Sequence, residues 1–174
     1  MREILFRGKT ENGEWYEGSL LKETVENANE KKDIYRIKEF NIGFLDDWTF
    51  EPTYTSGFDE EVIPETVGQY TGLTDKNGKK IFEGDIISFK EEVAEYDYQN
   101  PILNFDTGRF RLPEIRKKEN RVGVVKWCGN LLQYRVFFNR NCGTSRYELG
   151  DHRLEELLVI GNVHDNPELL KGGE

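Results

Sequence analysis

The chain has 174 residues, of which 36% are hydrophobic, 13% aromatic and 33% charged. That length fits one domain or a domain with a smaller companion, and its aromatic side chains supply enough burial for a core, which excludes disorder throughout. A formal net charge of −9 excludes a protein that coats nucleic acid with its whole surface.

The charge is uneven. Residues 1–108 hold 12 basic and 24 acidic side chains, giving −12, and residues 109–174 hold 12 and 9, giving +3. The two parts can therefore attract each other within a chain or between chains. MREILFRGK, at the start, sets charges on both sides of a short apolar cluster, unlike a secretory signal, and no apolar run reaches the length of a membrane helix. Cys128 and Cys142 are too few for a disulfide framework and match no zinc spacing, so a reducing cytoplasm is the expected home, with no membrane partner.

EILFRGKTENGEWYEGSLL places two apolar or aromatic runs around Glu11-Asn12-Gly13. Asn-Gly suits the two positive-φ positions of a type I′ turn, so a β-hairpin is predicted. ETVENANEKKD, residues 23–33, is polar throughout and reads as a loop or a frayed helix. DIYRIKEFNIGF alternates in a partial period of two and reads as a strand. Pro52, Gly57 and Pro64 then exclude a long central strand, leaving short edge pieces or ordered loop. EEVAEYDYQNPI is ambiguous. RFRL, RVGVVKW, LLQYRVFF and LLVIGNV favour strands, with a second hairpin at Cys128-Gly129-Asn130. DNPELL, residues 165–170, predicts one helical turn with proline at its start.

QYTGLTDKNGKKIFEGDIISF, residues 69–89, has the glycine density of a phosphate-binding loop. Gly72 should break the first strand, Asp75-Lys76-Asn77-Gly78 should turn the chain, and Gly84 should take a left-handed backbone before a strand from Asp85. A phosphate cradle needs a helix after its glycines, and here a strand follows. Asp75, Glu83 and Asp85 would also repel an anion. Turn chemistry accounts for every glycine in the stretch.

PETVGQYTGLTDKNGKKIFEGDII, with MREILFRGK and NGEWYEGSL before it and VIGNVHDNPELL after it, resembles the YopX family of small phage and prophage proteins. Three separated blocks occur in the right order; residues 91–120 and the segment before Asp33 are less alike. The resemblance implies a β-rich protein with an SH3-like barrel or roll in its C-terminal part, encoded by a mobile element and residing in a bacterial host cell. It implies no reaction and transfers no catalytic residue. The fold expected is mainly β, with short strands, hairpins and minimal helix: a hairpin region over 1–64, the SH3-like barrel over 65–170 and a tail over 171–174.

The chemistry-bearing residues are sparse. His152 and His164 each neighbour an aspartate (Asp151, Asp165), and Cys142 with His152 is conceivable as a nucleophile pair, but no signature surrounds them. As metal donors the histidines lie twelve apart without helical pairing. Asp46-Asp47 and Asp59-Glu60-Glu61 would need a cleft to do acid–base work. No catalytic, cofactor-binding or metal residue is assigned. The segment RFRLPEIRKKENRVGVVK, residues 109–126, sets Arg109, Arg111, Arg116, Lys117, Lys118, Arg121 and Lys126 against two acids with Phe110 interleaved. It is the candidate patch for a partner or for nucleic acid, since small barrels bind single strands by stacking beside basic side chains. The function expected is a non-catalytic binding or regulatory protein that self-associates, with a partner from phage or host; the alternative is a nucleic-acid-binding barrel, and the third reading, a histidine-centred hydrolase or metalloenzyme, has the least in its favour.

Overall fold

Turn residues divide this chain into thirteen strands and two short 3-10 turns among the residues that the computed structural model describes: 4–27, 30–43, 53–140, 143–149 and 154–171. The mainly β expectation holds, and no helix reaches seven residues. The chain forms two compact units, Met1–Thr74 with Lys80–Gly84, and Asp75–Lys79 with Asp85–Glu174.

The first unit is a six-stranded antiparallel sheet built from β1 (Phe6–Lys9), β2 (Trp15–Asn27), β3 (Glu30–Gly43), β4 (Thr53–Val62), β5 (Gly68–Thr74) and β6 (Lys80–Phe82), in the order β4-β3-β2-β1-β5-β6. The hairpin predicted at Asn12-Gly13 joins β1 to β2, but its turn is not type I′. Only Gly13 is left-handed, at φ 91°, while Asn12 stays at negative φ. The Gly13 N–H donates to Thr10 C=O and the Thr10 N–H to Glu14 C=O, the pattern of a type I turn closed by a glycine bulge. β2 changes partner at Gly18, which faces Phe6 of β1 while Ser19 faces Lys38 of β3. A Cβ there would lie 2.4 Å from the Lys38 carbonyl oxygen, so only glycine lets the strands come this close.

Of residues 23–33, expected as loop or frayed helix, 23–27 and 30–33 are instead ladder: Glu23 pairs with Ile34, Thr24 with Asp33 and Asn27 with Glu30. Hydrophobicity reports burial rather than pairing, and residues 21–26 are exposed. Cross-strand polar contacts take the place of a core here, with Lys22 2.7 Å from Asp33 and the Thr24 hydroxyl donating to Asp33 at 2.8 Å. β4 is an edge strand, as expected, but a single ten-residue strand rather than short pieces, and no proline lies within Thr53–Val62. The core gathers Ile37, Val62, Tyr70, Ile81 and Phe82. The Arg7 guanidinium lies 4.8 Å from both the Trp15 and Phe82 ring centres, a cation between two aromatic faces.

The second unit carries β7 (Asp85–Tyr96), β8 (Ile102–Asn104), β9 (Arg109–Arg111), β10 (Glu114–Cys128), β11 (Gln133–Arg140), β12 (Gly143–Glu148) and β13 (Leu154–Asn162). What the structure establishes of the expected roll is a five-stranded antiparallel sheet, β12-β11-β10-β7-β13, with a separate β8–β9 ribbon. Ile86, Ile87, Phe89, Val125, Val136 and Phe138 fill the core, Phe89 and Phe138 meeting edge-on at 5.2 Å. β7 begins with three consecutive buried residues, so both of its faces are covered there, while β10 and β13 pair its two edges. The hairpin expected at Cys128-Gly129-Asn130 connects β10 to β11. The C-terminal turn is 3-10 over Pro167–Leu170, with proline in its first turn.

Candidate functional site

The glycine-rich stretch is a folding device. Gly72 (φ 85°) does not end β5 but sits in it, where the β5–β6 register shifts between Tyr70 and Thr74. At residues 75–78 the chain repeats the Asn12-Gly13 solution: the Gly78 N–H (φ 82°) donates to Asp75 C=O, and the Asp75 N–H to Lys79 C=O. The Asp75 carboxylate, 6% exposed, completes the turn from inside. Its Oδ1 accepts the N–H groups of Asn77 (2.8 Å) and Lys79 (2.9 Å), and its Oδ2 that of Val159 in β13 (3.1 Å). Burial raises the Asp75 pKa more than any other single influence, but the three backbone N–H groups together outweigh it and hold the carboxyl below the usual aspartate value. Gly84 (φ 83°) turns directly into β7. No helix follows the glycines and the acids supply acceptors, so nothing here would hold a phosphate.

The basic segment has a different geometry from the one its sequence suggests. β7 and β10 stay paired from Val124↔Ile86 out to Glu114↔Tyr96. β13 leaves β7 at Glu91, and β11 pairs β10 only from Gly123 onward. Among the described residues, 92–96 and 114–118 therefore pair only with each other, as a two-stranded arm that continues past the sheet. The pleat sends Lys117 and Arg121 to one face and Arg116 and Lys118 to the other, so these cations form no single surface. Nearly all of them meet acids. Arg116 lies 3.1 Å from Glu92 and 3.2 Å from Glu114, Lys117 pairs with Glu95, and Arg121 pairs with Glu119 and lies 3.2 Å from Glu91. These are mostly diagonal contacts of the ladder, within reach of long side chains. Lys118 stands opposite Glu92. The Glu156 carboxyl is held below its usual range chiefly by a hydrogen bond from Lys90, and in smaller part by the Lys118 charge. Residues 91–121 contain seven acids against six bases. The run that stands out in the sequence is neutral once folded.

Arg109, Arg111 and Lys126 form no ion pair among the described residues. Lys126 lies on the sheet opposite Arg135. Arg109 and Arg111 lie at the far end of the arm on β9, where Asn104 pairs with Arg109, Leu103 with Phe110 and Ile102 with Arg111. The interleaved Phe110 thus faces the opposite side of the ribbon from its two arginines. Two side chains organise this tip. Asp97 accepts the N–H groups of Gln99 and Asn100, and Asn104 Oδ1 those of Asp106 and Thr107, before Gly108 turns at φ 64°. Around this frame Phe105 is 90% exposed, Tyr98 75% and Phe110 70%, with Tyr96, Ile102 and Ile115 also exposed. Tyr96, Tyr98, Arg111, Leu112 and Glu114 line an open hollow of about 470 Å³. The reading of residues 109–126 missed Tyr96, Tyr98, Ile102, Phe105 and Ile115. The available signal was the density of aromatics among Asp, Asn and Pro in EYDYQNPILNF, where no period points them toward a core.

Among the described residues the other candidates form no site. His152, Cys142, Asp151, Asp46 and Asp47 lie outside the described residues. His164 and Asp165 donate their N–H groups to Asn162 Oδ1 in an exposed turn. Among the described residues no three His, Cys, Asp or Glu side chains gather as metal donors. On β4, Asp59 is held below the usual aspartate range by hydrogen bonds from Lys38, then Arg36, the opposite of the raised pKa that a general acid needs. No described helix is long and apolar enough to cross a membrane.

No curated protein matches the chain. The family model described as YopX protein matches residues 5–171, from the strand before the first hairpin to the end of the last turn. The three sequence blocks, the self-closed Asp75 turn and this match lead to one assignment: the chain belongs to the YopX family.

Proposed function

We propose that this is a phage- or prophage-borne, non-catalytic binding protein that works through the tip of its β7–β10 arm and self-associates. One observation carries the reading: the six large apolar side chains exposed at the arm's end, Tyr96, Tyr98, Ile102, Phe105, Phe110 and Ile115. Aromatic side chains of this kind supply the anchors of protein interfaces. The neutrality of the arm supports a protein partner, because a ribbon whose cations already face carboxylates has few left for phosphates. Sedimentation velocity over a wide concentration series tests it. Reversible growth in mass is expected, weakened by Tyr98→Ser and Ile102→Ser. A strict monomer at every concentration removes self-association.

Arg111 beside Tyr96 and Tyr98 in the open hollow favours a second reading, stacking of single-stranded nucleic acid at the same tip. Fluorescence anisotropy with labelled single strands should then show binding that falls steeply with salt and is lost in Arg111→Glu. No binding at low salt ends that reading.

A further inference from the structure

The β8–β9 ribbon pairs three residues with three, and its Ile102 and Phe110 are exposed while only Leu103 is half-buried. Two short strands are marginal in water without a covered hydrophobic face. The turns at Asp97 and Asn104 order the backbone but bury nothing. The tip is therefore the part of the second unit with most to gain from a partner, and its charges indicate which one. Residues 97–113 carry two aspartates, Asp97 and Asp106, and two arginines, Arg109 and Arg111. Asp97 is occupied by its own turn and by Asn100. Asp106, Arg109 and Arg111 form no ion pair among the described residues. The ribbon side that carries Arg109 and Arg111 also carries Ile102, and Arg111 lines the hollow with Tyr96 and Tyr98. With Asp106 in the adjoining turn, such a surface holds both signs and complements itself under two-fold rotation, because each arginine that meets an aspartate is matched by the reverse contact. It also lets copies of a chain carrying −9 approach through a region of zero net charge.

We infer that the arm tip docks against the same tip of a second copy through the ribbon side that carries Arg109 and Arg111, Ile102 and Tyr98 forming the buried centre and Asp106 of each copy meeting Arg109 or Arg111 of the other. This rests on the proposed self-association and names the surface that performs it.

Charge reversal tests it with the full chain. In sedimentation velocity and native mass spectrometry, Asp106→Arg alone and Arg109→Asp/Arg111→Asp alone are each expected to raise the dimer dissociation constant at least about tenfold. An equimolar mixture of the two variants is expected to recover a mixed dimer. Circular dichroism and urea midpoints should stay near those of the unaltered chain, since these side chains bury little. A dimer unaffected by either variant, or a mixture that stays monomeric, overturns the tip-to-tip contact while leaving self-association through another surface. A monomeric unaltered chain overturns both, and binding of a labelled single strand by that monomer transfers the tip to the nucleic-acid reading.

Discussion

Asp75→Ala is expected to destabilise the second unit by about 2–3 kcal/mol, read from urea denaturation at neutral pH. The substitution removes the acceptor for three backbone N–H groups. Those of Asn77 and Lys79 lie on an exposed turn and can take water instead. That of Val159 is in a buried position and bears close to the whole cost of an unmet donor. Asp75→Asn keeps one oxygen for the turn but turns an amide on the other side, so an intermediate loss is expected. The pH dependence has a definite sign. The folded-state pKa is below the ordinary value of 3.8, so the contribution of this carboxylate is complete above about pH 4 and is lost as pH falls through the folded value. Asp75→Asn should therefore be closer to the unaltered chain at about pH 3 than at neutral pH. An equal gap at both would mean that the charge plays no part.

Arg121→Ala is expected to have an effect of similar size, about 2–4 kcal/mol, because it takes a cation from a carboxylate that cannot reach water. Glu91 is 0% exposed, and Arg121 is 23% exposed at the root of the arm. Further out, Arg116 and Lys117 pair with acids in solvent, so Arg116→Ala and Lys117→Ala should barely move the urea midpoint. Glu91→Gln placed in the Arg121→Ala background should recover part of the loss, since a neutral amide is easier to bury than a carboxylate. If Arg121→Ala behaved like Lys117→Ala, the distinction between root and arm would fail. This contrast also separates a cation that holds the protein together from one available to a partner, which sequence position alone does not do.

The bends were legible because glycine and asparagine act locally. Gly13, Gly78 and Gly84 turn the chain where expected, and Pro167 opens the last turn, since each depends only on its own backbone and immediate neighbours. The turn type at Asn12-Gly13 was not legible: the pair suits either a two-residue loop or a glycine bulge, and the register of β1 on β2 selects between them. Residues 23–27 and 30–33 were misread because the described side chains at these ends of β2 and β3 are exposed, so neither period nor hydrophobicity marks them.

The candidate site divides along the same line. Read from its sequence, this chain is mainly β, resembles the YopX family in three ordered blocks, and turns at Gly13, Gly78 and Gly84. The pairing of β10 on β7 decided the rest. It brought Glu91, Glu92 and Glu95 against Arg121, Arg116 and Lys117 from about thirty residues away or less, which neutralised the basic run, and it carried Tyr98, Phe105 and Phe110 to the exposed end. Charge in a sequence adds along the chain, whereas in a sheet it adds across strands, and only the register says which side chains meet.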